Sequence, residues 1–140
     1  MTAKQKITVE VTVNQTMDKV WKIWTTPTDI MKWNTASDEW HTPKAENDLR
    51  VGGKFLSSME AKDGSFGFDF IGTYTSVKTN KEIGYVMEDG RTCVTKFIKE
   101  GNAIKVITTF DAETENSIEL QQGGWQAIAN NFKKYAEANG

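Results

Sequence analysis

Over most of the chain apolar and polar residues alternate; a helical spacing breaks in after the first such stretch and returns from Ser117 to the end. Ile7, Val9, Val11 and Val13 alternate with Thr8, Glu10 and Thr12, which predicts a strand with one face in the core. The pattern stops at Asn14-Gln15-Thr16. Thr16 can cap a helix whose apolar stripe is Val20, Trp21, Ile23 and Trp24, with Asp18 in its first turn. Pro27 ends that helix and, being suited to a first helical turn, opens a second one to Trp33 that carries Ile30 and Met31.

Asn34 to Asp38 has the small hydrogen-bonding side chains of a surface loop. Trp40 to Glu46 then predicts a short strand that Pro43 confines to a sheet edge. Phe55, Ser57 and Met59 form one strand face, and Asp63-Gly64 supplies a hairpin turn. The longest strand is Phe66 to Val77, with Phe66, Phe68, Phe70, Gly72 and Tyr74 on one face and Asp69, Ile71, Thr73 and Thr75 on the other. Three further strands follow, carrying Ile83, Tyr85 and Met87, then Cys93, Thr95 and Phe97, then Val106, Thr108 and Phe110, with turns at Asp89-Gly90 and Gly101-Asn102.

From Ser117 to Ala138 the spacing becomes three and four. Ile118, Gln121, Trp125, Ile128, Phe132 and Tyr135 line one helix face, and Asn116-Ser117 with Glu119 marks a capped start. An amphipathic helix with an aromatic seam needs a surface to lie on, and the curved antiparallel sheet before it supplies one. The expected fold class is therefore α+β. A sheet of about six to seven strands wraps a long C-terminal helix, with two short helices after the first strand, in a single domain over residues 1–140. Gly123-Gly124 inside the helix costs on the order of 1 kcal/mol per glycine relative to alanine. Either the helix approaches a neighbour closely there, or room is left for a ligand beside Trp125.

Composition narrows the function classes. Seventeen basic and nineteen acidic residues give a net charge of -2, with only Arg50 and Arg91 as arginines, so a nucleic-acid partner is not expected. The opening Met1 to Lys6 has no apolar signal core and no run long enough for a membrane span, so a cytoplasmic location is expected. Cys93 is the only cysteine, which excludes an intrachain disulfide; mid-strand, it reads as a small apolar core residue. His41 is the only histidine and the first candidate for proton transfer, with Asp38 and Glu39 nearby, although adjacent residues on a strand face opposite ways; a loop or strand-end histidine is the plain reading. No metal, cofactor or catalytic residue is assigned. Val51-Gly52-Gly53-Lys54 lacks the rest of a phosphate loop and precedes a strand, so it reads as a bend. Aromatic residues stand out, with five Trp, seven Phe and three Tyr, and such side chains either fill cores or wall small-molecule pockets.

Val20-Trp21, Trp24-Thr25, Pro27, Ile30 and Trp33 resemble the front motif of the SRPBCC (START-like) superfamily, which includes lipid-transfer domains, birch-pollen-type allergens and polyketide cyclases. Gly52-Gly53-Lys54-Phe55, Gly72-Thr73-Tyr74, Met87 to Gly90, Phe110-Asp111 and Gly124-Trp125 to Phe132 look like its branch named for the activator of the heat-shock-protein-90 ATPase. The resemblance covers essentially the whole chain. It implies a helix-grip fold with a deep hydrophobic pocket between sheet and long helix, and binding of an apolar small molecule as the common theme. Catalytic members place polar residues individually, and no shared motif transfers to this chain.

The expected wall residues are Trp125, Ile128 and Phe132 on the long helix, Phe68, Phe70, Tyr85, Met87 and Phe97 on the sheet, and Trp33 and Trp40. Gln121 and His41 are the polar candidates, and Asp69 points away by alternation. Two other classes stand beside this reading. One is a cyclase- or hydrolase-type enzyme on a bound aromatic compound; the other is a co-chaperone-like module that activates a chaperone ATPase. The edge strand near Trp40 could support a homodimer.

Overall fold

The alternation of the sequence becomes a single seven-stranded antiparallel sheet, and the computed structural model describes residues 5–139 of it and its helices. The expectation about Met1 to Lys4 lies outside the described residues. The strands are β1 (Lys6–Val13), β2 (Trp40–Asn47), β3 (Lys54–Ala61), β4 (Gly67–Lys78), β5 (Glu82–Met87), β6 (Thr92–Glu100) and β7 (Ala103–Asp111). Two short helices, α1 (Met17–Thr25) and α2 (Pro27–Trp33), follow β1, and the long helix α3 (Ile118–Ala138) closes the chain. The spatial order is β1-β7-β6-β5-β4-β3-β2, so β1 and β2 occupy opposite edges of a curled half-barrel. The two short helices carry the chain from one edge to the other. The expected α+β helix-grip architecture is the one observed.

Local chemistry sets the boundaries. The Thr16 hydroxyl accepts the Lys19 N–H to open α1, and the Ser117 hydroxyl accepts the Leu120 N–H at 3.1 Å to open α3. Pro27 occupies the first turn of α2. Gly52, at φ 85°, turns the chain between β2 and β3 in a conformation that a side chain disfavours. The longest strand starts one residue later than its pattern suggested. Phe66 falls in the hairpin turn and is 62% exposed, while Phe70 and Tyr74 point inward. A register shift between Tyr74 and Ser76 lets Val77 also face the core, opposite Ile83.

The interior is divided in two. The larger cluster gathers Val13, Val20, Ile23, Trp33, Phe97 and Val106 around Phe132 and Ala136 near the C-terminal end of α3. Phe132 meets the rings of Trp24 and Trp33 edge-on, with centroids 4.8 and 4.9 Å apart. The smaller cluster holds Ile7, Met87, Cys93 and Phe110 under the N-terminal half of the helix. There Trp125 stacks on Phe110 with centroids 3.8 Å apart. The edge strand β1 is covered by α3 as well: Gln126 donates to the Glu10 carbonyl at 3.0 Å and Lys133 to the Thr12 carbonyl. The opposite edge, β2, carries Pro43 and a register irregularity between His41 and Lys44.

An added Cβ at Gly123 or Gly124 meets nothing within 4 Å. The close-approach explanation for the two glycines is therefore wrong, because no neighbouring backbone comes near. A buried carboxylate ties the first strand to the sheet. Asp111, 3% exposed, accepts Lys6 Nζ at 2.5 Å and both the N–H and hydroxyl of Thr92 at 2.8 and 2.9 Å. Burial by itself raises its pKa, but the hydrogen bond from Lys6, then those from Thr92, and the lysine charge outweigh it and hold the group at about 2.

A depressed carboxyl contributes stability at neutral pH that is lost as pH falls from the unfolded value of about 4 towards about 2. Urea denaturation should show that acid loss in the natural chain. Asp111→Asn should be less stable at neutral pH and should lose less stability across the same interval. Gly123→Ala should raise stability by about 0.5–1 kcal/mol through helix propensity alone; a decrease in the urea midpoint would mean that something does approach the helix.

Candidate functional site

Between the two clusters the middle of α3 spans the concave face without filling it, leaving a cavity of about 240 Å³. Trp125, Ile128 and Ala129 form its roof. Phe55, Ser57 and Met59 of β3 and Phe68, Phe70 and Tyr74 of β4 form one wall. Ile83 and Tyr85 of β5, Cys93 and Thr95 of β6 and Thr108 of β7 form the floor. Trp24, Ile30, Trp33 and Asn34 close the end beneath the short helices, and the exposed Glu46 stands at the wall's edge. Phe55, Phe70, Trp125 and Ile128 remain partly accessible although they sit on the inner face of the grip. An inner-face aromatic that keeps accessible surface borders a space.

Of the expected wall residues, Trp125, Ile128, Phe68, Phe70, Tyr85 and Trp33 border this space. Phe68 does so at the rim, 45% exposed. Phe132, Phe97 and Met87 do not border it. Phe132 and Phe97 are consumed in the larger cluster, where Phe97 meets Trp21 and Trp24, and Met87 packs in the smaller one. They share the inward face, but a helix or strand face is longer than the cavity it passes.

The polar candidates lie elsewhere too. Gln121 is buried, yet its carbonyl oxygen accepts the Glu113 N–H at 2.9 Å and its amide donates to the Asn116 carbonyl at 2.9 Å. It clamps the segment preceding α3 onto the helix rather than reaching the cavity. Trp40, paired with Ala61, lies past the end of the cavity and meets Phe66 edge-on and Phe68 at a tilt, with centroids 5.9 and 6.1 Å away. His41 pairs across the strands with Glu60, Nε2 to Oε1 at 3.4 Å, in an outer depression that Trp40, Lys62 and Lys134 also border. Asp69 faces outward, accepting the Ser58 hydroxyl at 2.7 Å, as alternation required.

Sequence reasoning missed the polar floor. Tyr85 pairs with Cys93 and Thr95 with Thr108 in direct cross-strand register, and the two threonine hydroxyls are 2.9 Å apart. Cys93 and Thr95 are next neighbours on one face of β6, so the pairs join into a row across three strands. Burial pushes the Cys93 thiol up to about 12, against the pull of hydrogen-bond contact with Tyr85 and Thr95. Burial and the neighbouring thiol likewise raise the Tyr85 phenol well above its ordinary range. Both groups are therefore neutral hydrogen-bonding groups at physiological pH, and the thiol is not a nucleophile. The signal was available as polar residues at inward positions of three adjacent strands.

Gly72 shapes the wall. It sits opposite Phe55, and a Cβ there would come within 2.6 Å of Phe55 Cζ and 3.1 Å of Tyr85 Cδ1. Only glycine lets the Phe55 ring lie back against β4. Gly72→Ala should drive that ring into the cavity, at a cost of roughly 1–3 kcal/mol in stability. Denaturation would give the cost, and a crystal structure of the variant should show the space reduced.

Among the described residues no cluster of His, Cys, Asp and Glu is arranged to hold a metal ion, and no helix is long and apolar enough to cross a membrane. Comparison with curated proteins found no match. Solved structures do match. The solution structure of the AHSA1-like protein from Aeromonas hydrophila is 46% identical, with a TM-score of 0.90 over 96% of this chain and 93% of that one. A solution structure from Cytophaga hutchinsonii is 54% identical, with a TM-score of 0.83 over the same shares. A crystal structure from Nitrosomonas europaea keeps a TM-score of 0.82 over 99% and 97% of the two chains at 17% identity, a likeness of fold alone. Residues 14–137 match the family described as activator of Hsp90 ATPase homolog 1-like protein, and with these relatives the match establishes that the chain belongs to that family.

Proposed function

We propose that the protein binds an apolar small molecule in the cavity between its sheet and α3. The observation that carries this reading is the space itself. Large aromatic side chains surround it on several elements, and the two core clusters on either side hold the roof up rather than letting it collapse. A cavity of about 150 Å³ can hold a molecule the size of benzene, so the 240 Å³ here suits one or two rings or a short chain. Exclusion of water from the aromatic walls supplies the affinity, and a few polar groups orient the occupant.

The enzyme reading asks for an acid–base pair converging on the cavity. Glu46 is exposed at the edge and His41 is on the outer surface with Glu60, so the described residues supply no such pair. A chaperone-docking role draws on a different observation, the aromatic group of Trp40, Phe66 and Phe68 at the β2–β4 rim, where Phe66 and Phe68 are exposed. Stimulation of a chaperone ATPase by the natural chain, lost in Phe66→Ser, would favour that second reading.

For the cavity reading, thermal denaturation with neutral aromatic and alicyclic compounds is the direct test. A compound at a hundredfold its dissociation constant should add about 2.7 kcal/mol of stability. Ala129→Phe, which places a ring in the space, should abolish that gain while remaining folded by circular dichroism. If no apolar compound stabilises the natural chain, the reading is lost.

A further inference from the structure

The charge and hydrogen-bonding character of the lining says which occupants the cavity accepts, given the binding role proposed above, on which this step rests. Among the described residues no lysine, arginine or histidine borders the space, and the one charged side chain on its wall is Glu46. Arg91, whose charge reaches Tyr85, is paired with Asp89 at 2.6 Å and does not border the space. An anion held here would shed its water without a counter-charge on the lining, and beside the Glu46 carboxylate.

Neutral polar groups, by contrast, are present where an occupant would reach. The floor carries the Tyr85, Cys93, Thr95 and Thr108 row. A hydroxyl offers one hydrogen and two lone pairs, so members bonded only to one another keep capacity for an incoming oxygen. Ser57, on the inner face of β3, borders the same space, and no buried polar side-chain atom among the described residues lacks a partner. Its hydroxyl meets the cavity as a donor and acceptor, a place an occupant's oxygen can take.

We infer that the cavity selects an uncharged ring compound of one or two rings bearing a hydroxyl or carbonyl oxygen, received by Ser57 and the Tyr85–Thr108 row, and rejects carboxylates, fatty-acid anions included. The wall is built for dispersion and water exclusion, and the floor for one neutral oxygen. A carboxylate of the same carbon skeleton gains the first, but hydroxyl donors alone do not offset the loss of water around its charge.

The test uses three probes with one skeleton, naphthalene, 2-naphthol and 2-naphthoate, titrated at neutral pH against the full chain and followed by quenching of tryptophan fluorescence and by calorimetry. Naphthol should bind on the order of tenfold or more tighter than naphthoate, about 1.4 kcal/mol per tenfold, and tighter than naphthalene. Ser57→Ala and Thr108→Val should each bring naphthol several-fold closer to naphthalene while leaving naphthalene unchanged. Naphthoate binding as tightly as naphthol, or naphthol affinity unmoved in both variants, overturns the inference while leaving the cavity reading in place. Failure of all three probes to bind overturns the cavity reading and this inference together.

Discussion

The structure depends on α3 being held at two separated places on the sheet. Trp125 stacks on Phe110 towards one end, and Phe132 is locked edge-on between Trp24 and Trp33 towards the other. A helix is stiff over that distance, since its backbone hydrogen bonds run along its own axis. The sheet beneath is curved. A straight element supported at both ends over a concave surface leaves a gap in the middle, and the cavity is that gap. Ala129 and the half-buried Ile128 sit at its roof because nothing there demands larger side chains for support.

This arrangement couples stability to the site. The most deeply buried large side chains, Phe110 and Phe132, stand outside the cavity, but the rings they meet, Trp125, Trp24 and Trp33, border it. Phe55, Phe70 and Ile128 border it as well and stay partly accessible, so they carry less of the packing. The fold itself persists at 17% identity in the Nitrosomonas protein. Two polar residues, Asp111 and Gln121, serve the fold. Each is buried and richly hydrogen-bonded: Asp111 ties β1 to the sheet through Lys6 and Gln121 ties the segment after β7 to α3, neither of them bordering the cavity.

Much of the topology could be read from residue order. The alternation in β1 and β5–β7, the Thr16 and Ser117 caps, Pro27 and the period change after Asn116 each act within a few residues, and each appears where the pattern placed it. The site was legible only in part. Trp125, Ile128, Phe68, Phe70, Tyr85 and Trp33 border the cavity, but Phe132, Phe97 and Met87 share their facing and do not. Facing is set by local periodicity, whereas membership in a cavity wall depends on how far along the face the partner element stands off.

By itself, then, the chain of residues determined which positions are strand, helix and turn, which side of each element is apolar, and that a long aromatic-seamed helix closes a curved sheet. Tertiary structure decided where along that contact the space opens, that Gly123-Gly124 adjoins no neighbour, that Gln121 is a clamp, and that Tyr85, Cys93, Thr95 and Thr108 meet as one row. The physical reason is range. Backbone preference and side-chain alternation are settled by neighbours in sequence, while standoff distance and cross-strand register are settled by contacts between elements many residues apart.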